Sequence, residues 1–249
     1  SAIERFLRKA YSSHGRSNDF RELASKLIIV AVELESGQTV RFGTSGHDAV
    51  PISRAIEASA ALPGLYPPVQ IDGKHYVDGA LRHTVHASVA LDSGADLVLA
   101  INPLVPINTV HAKSQGKASS PNVVDGGLPA VLSQMFRTLL ESRMQTSIPR
   151  YERTYPDSDL MLLQPDADDT DMFFTNVFSF SHRKRLAEHA YQSTLRDLRM
   201  HRKTLKPLLA RHGISLRDKV LDDPKRTLLG TLTDKPPRRS KVTSHLHRA

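Results

Sequence analysis

The sequence contains no cysteine, which excludes disulfides and thiolate metal sites as sources of stability. It holds no apolar run near the roughly 20 residues that span a bilayer, and its start shows no signal-peptide pattern. A soluble or peripheral chain is expected. It opens on Ser1-Ala2-Ile3-Glu4 rather than methionine, as a cropped or cleaved chain does. Aromatics are scarce where cations are dense: the helix pattern over about 183–212 holds Tyr191 alone. Base-stacking platforms need interleaved aromatics, so no nucleic-acid partner is expected.

At 249 residues the chain is long enough to bury a full core. Its formal charge of +8 is unevenly placed. Residues 181–249 carry 18 Lys or Arg against 6 Asp or Glu, a net +12, whereas residues 1–180 carry 16 against 20, a net −4. Such a cationic end suits an anionic membrane surface or simple solvation.

Periodicity gives an alternating order of strands and helices. The apolar run at 27–34, LIIVAVEL, reads as a deeply buried strand with TVRF as its hairpin partner. Pro51 suits the first turn of a helix that Pro63-Gly64 stops. Asp72-Gly73 between VQI and KHYV predicts a type I′ hairpin. A helix over 84–94 closed by Gly94, then a buried strand in ADLVLAINPL, implies a parallel crossover and an α/β sheet. Beyond an exposed loop at 105–128, the pattern predicts a helix over 128–153 and a short strand in DLMLLQP. An amphipathic helix follows at about 183–212, its face marked by Ala187, Tyr191, Leu195, Leu198, Leu205 and Leu209, with a kink or end at Pro207. Residues 1–217 read as one domain portion and 218–249 as a basic disordered tail.

Asp78 falls on this map at a strand end, with Gly79 assisting the turn into a helix. Functional groups gather at that edge of open α/β sheets. N-capping is the other local role open to the aspartate. The wider stretch 55–103 holds A-S-A-A-L-P, P-P-V, I-D-G-K-H-Y-V-D-G-A and G-A-D in order. It closely resembles the patatin-like phospholipase family, and the likeness extends from about Phe20 to Arg217. The resemblance implies an α/β fold with a patatin-like sheet flanked by helices. It implies a lipid acyl hydrolase with a Ser-Asp dyad and no cofactor, acting on phospholipid or another acyl ester. Asp78 matches the dyad aspartate. A carboxylate can deprotonate a serine directly when burial raises its proton affinity.

The family's nucleophile elbow, G-x-S-x-G, is not found in this sequence. Of the G-x-S triplets, GTSGH at 43–47 comes nearest, yet Ser45 follows the 27–34 strand, whereas the family places its nucleophile before it. Ser45 therefore reads as a loop residue. The glycine-rich oxyanion loop is also missing; DGG at 125–127 belongs to the long loop. Serine and oxyanion loop are expected on an absent or associated N-terminal segment; a catalytically inactive lipid-binding remnant is the alternative. His75, His83 and His86 are spaced for a metal but lack a matched carboxylate pattern. DADDTD at 166–171 has Asp171 where a calcium loop needs glycine, and reads instead as a cap for a helix from Met172. Tyr66 and its apolar neighbours could line an acyl pocket or pack in the core.

Overall fold

The computed structural model describes residues 1–13, 15–63, 66–82, 85–114, 122–169 and 183–233. The chain divides into two compact units, at the junction between Thr84 and Val85.

The first unit is a four-stranded antiparallel sheet backed by helix. The strands are β1 (Ile29–Glu33), β2 (Thr39–Phe42), β3 (Val69–Ile71) and β4 (Lys74–Asp78), in the order β2-β1-β4-β3. The β3–β4 hairpin turns through Asp72 (φ 49°) and Gly73 (φ 79°), the two left-handed residues a type I′ turn demands. Helix α2 (Ile52–Ser59) lays Ile52, Ala55 and Ala58 into a core with Phe20, Ala31, Val40, Phe42, Val69, Ile71 and Tyr76. Alanines at the contact let helix and sheet approach closely. Helix α1 (Ala2–Tyr11) was not evident from periodicity. Its signal is Ser1 three residues before Glu4: the Ser1 hydroxyl accepts from the Glu4 N–H at 3.2 Å. The buried Glu4 then receives the Ser53 hydroxyl at 3.3 Å.

The second unit contains α3 (Ala87–Leu91), β5 (Leu97–Ile101), α4 (Thr109–Ser114), α5 (Gly127–Thr154) and β6 (Asp159–Leu163). It continues through α6 (Arg183–Met200), α7 (Arg202–Arg211), α8 (Asp218–Leu221) and α9 (Leu228–Thr233). Strands β5 and β6 pair in parallel, Leu97 opposite Asp159 through Ile101 opposite Leu163. The expected parallel crossover from the Asp78 strand through 84–94 to β5 is not formed; the parallel pair is β5 with β6. The expected pairing of β5 with the Asp78 strand is not made, because β4 spends its edges on β1 and β3. The result is mixed α/β with an antiparallel and a parallel sheet.

Four further expectations change. In the run read as a deeply buried strand, Ala31 and Val32 are buried while Leu27 and Leu34 are exposed, outside the paired segment. On β5, Val98 and Ala100 are buried but Leu99 and Ile101 are exposed, since the cluster of Leu205 and Leu209 covers Met161 on β6. The long C-terminal helix breaks at His201, and Pro207 lies inside α7; of the face predicted for it, Ala187 is exposed. Burial of Leu205 and Leu209 holds that turn despite the missing N–H. The segment from 218, expected as tail, forms α8 and α9. Leu221 is buried, Arg199 donates to its carbonyl, and the Glu188 carboxylate receives the Leu228 N–H at 2.8 Å. The helix expected from Met172 lies outside the described residues.

Candidate active site

Asp78 is the last residue of β4, opposite Ala31 of β1. Its N–H donates to the Ala61 carbonyl at 3.0 Å, tying it to the chain leaving α2. Central strand and helix exit thereby fix its backbone from two sides. Its side chain is half-buried, and one carboxylate oxygen receives the Ala80 N–H at 2.8 Å, capping the 3-10 turn Gly79–Leu81. Among the described residues no hydrogen bond reaches the other oxygen. Burial pushes the Asp78 carboxyl above the ordinary carboxylate range, opposed by the Ala80 N–H. Capping and a raised proton affinity therefore coexist on one side chain.

Gly79 opens that turn and is buried, with φ outside the left-handed region.

Ser45 lies exposed in the turn after β2. The turn closes on itself, Gly43 N–H to the His47 carbonyl at 3.0 Å and His47 N–H to the Thr44 carbonyl at 2.8 Å. Strands β2 and β4 flank β1, so they run about 9–10 Å apart. No hydrogen bond joins Ser45 to Asp78. Gly43 has φ 91°, and a Cβ there would meet the Leu27 carbonyl and sit 2.7 Å from the Phe20 ring. The glycines of GTSGH serve this turn and its packing.

His75 pairs with Glu35 at 2.8 Å on the surface, His86 precedes α3, and His83 lies outside the described residues. Among the described residues no three His, Asp or Glu side chains gather as metal ligands. In the 166–171 segment, Asp169 holds the His189 ring at 2.7 Å. Tyr66 is exposed, while Ala61 and Val69 on either side of it are core residues. A hollow of about 520 Å³ in the first unit is lined by Phe42, His47, Pro51, Arg54, Ile71 and Tyr76. Neither Tyr66 nor Asp78 lines it.

A half-buried carboxylate at a strand end, anchored through one oxygen, leaves its other oxygen able to accept a proton. Residues 1–91 match the family model of the patatin-like phospholipases. Over that span, which contains Asp78 and Gly79, the chain is similar to a family of lipid acyl hydrolases. No helix among the described residues is long and apolar enough to cross a membrane.

Proposed function

We propose that this chain contributes the general base, Asp78, to a serine lipid acyl hydrolase. The observation that carries the reading is the division of labour on its carboxylate. One oxygen is fixed by Ala80, which sets the orientation, and burial raises the proton affinity, which lets the group take a proton from a serine hydroxyl without a histidine between them. The substrate class is a phospholipid or other acyl ester, as the similarity over residues 1–91 suggests. The serine and the N–H donors for the oxyanion are proposed to come from polypeptide other than these 249 residues, whose sequence holds no G-x-S-x-G.

Asp78→Asn in a protein that includes the nucleophile segment tests the reading. Asparagine can still cap Ala80, so the fold should persist, while kcat for ester hydrolysis should fall on the order of a hundredfold or more. Retained turnover at unchanged melting temperature would leave Asp78 as a cap alone. Lipid binding without turnover in both proteins would favour a catalytically inactive lipid-binding module.

A further inference from the structure

Helix α5 presents Leu128, Leu132, Met135 and Leu139 to solvent, 69%, 55%, 58% and 59% exposed. At about 100° per residue these four share one arc of roughly 60°. The same face continues through Arg143, Thr146, Arg150 and Arg153, all exposed. The helix's two carboxylates, Glu141 and Glu152, stand off that arc by roughly 100° or more. The cation within the apolar half is turned away from it: Arg137 donates to the carbonyls of Val105 at 3.1 Å and Pro103 at 3.5 Å. One exposed face of a single helix is therefore apolar for its first half and cationic for its second.

We propose that this face of α5 seats on an anionic lipid surface, the Leu and Met side chains entering the acyl boundary and Arg150 and Arg153 meeting phosphates. The proposal rests on the lipid acyl hydrolase reading for the nature of the surface. Charge complementarity selects the occupant. In a parallel pairing with a second copy, arginine would face arginine; in an antiparallel one, the arginines would lie on the partner's apolar half. Neither desolvated arrangement supplies these cations with carboxylates. Headgroup phosphates beneath an apolar layer supply both halves of the match.

The sequence has no tryptophan, so Met135→Trp gives a single fluorophore on the face and Glu152→Trp one off it. Each is titrated with vesicles of ether-linked phosphatidylcholine and phosphatidylglycerol, which a lipid acyl hydrolase cannot cleave. The expected result is a blue shift and quenching by brominated acyl chains for Met135→Trp only. Adding Leu132→Ser and Leu139→Ser should weaken partitioning about tenfold or more, with thermal unfolding unchanged because both positions are exposed. Arg150→Gln with Arg153→Gln should weaken binding to anionic vesicles but not to neutral ones. No shift with either vesicle overturns the proposal, as does a lipid-free blue shift that grows with protein concentration and marks self-association. Insertion into the ether-linked vesicles is also measured on the protein with Asp78 intact and the nucleophile segment included, alongside its turnover of an ester-linked lipid: insertion without any turnover defeats the enzyme reading and leaves this one standing, whereas turnover without insertion does the reverse.

Discussion

At the residue scale, the proposed role of Asp78 as base would couple activity and stability to pH through one shift. Catalysis needs its ionised form, so the acid limb of kcat/KM should rise at a pH above the ordinary aspartate value of about 3.9. For stability the sign is opposite. The folded state binds the Asp78 proton more tightly than the unfolded chain. Its contribution is fully present below the unfolded pKa and is lost as pH rises through the folded one. Asp78→Asn should therefore melt higher than the parent protein at neutral pH, and the gap should close on acidification below about pH 4. A gap that widens towards acid would show that the carboxylate is stabilised by the fold rather than desolvated in it. Gly43 offers a second test. Gly43→Ala combines a left-handed φ with a Cβ driven at the Leu27 carbonyl and Phe20 ring, and should cost about 2–4 kcal/mol in denaturant unfolding. A cost under about 1 kcal/mol would mean that the turn relaxes freely.

Elements governed by local chemistry were legible in the sequence. The Asp72-Gly73 hairpin, the helix starting after Pro51 and the helix over 128–153 all follow from residues within a few positions of their ends. What stayed hidden depends on distant partners. Nothing near Leu97 tells that β5 pairs with β6, 62 residues away by register, or that Leu99 and Ile101 are exposed. The break in the C-terminal helix is the same lesson in reverse: Pro207 carries the local signal, yet the turn is at His201 because Leu205 and Leu209 are held in a core with Met161. Position 207 then loses a backbone bond to the Lys203 carbonyl without ending the helix. Pro207→Ala should restore that bond and stabilise the protein by about 1–2 kcal/mol, the larger helical gain being reduced by the freer unfolded chain. Unchanged or lower stability in urea melts would show that the proline is matched to its surroundings.

At the scale of the whole molecule, charge and chemistry are both distributed. The C-terminal excess of cations is partly met within the fold: Arg202 pairs with Asp222 and Asp218, Lys206 with Asp218 at 2.8 Å, and Arg211 with Asp159 at 2.8 Å. Asp218 and Asp222 are already counted in the segment's net +12, so of these pairs the one with Asp159 alone draws on an acid outside it and the cationic excess is largely kept. The candidate base was proposed from a motif that is local and contiguous; a dyad is a relation between two segments, and no G-x-S-x-G in this sequence marks a serine partner for it. From this follows the expectation that residues 1–249 alone do not hydrolyse esters. Asp78 has no hydroxyl within hydrogen-bond reach among the described residues, and Ser45 sits in a self-closed turn two strands away. Loss of a whole nucleophile leaves only binding and residual polar effects, a decrease of several orders of magnitude. The purified chain is assayed with a short p-nitrophenyl ester and a serine-directed fluorophosphonate, then again after adding polypeptide that bears the G-x-S-x-G segment. Turnover and labelling that appear only on addition support the divided site. Stoichiometric labelling of the chain alone, with turnover, would overturn it and make Ser45 the first residue to substitute.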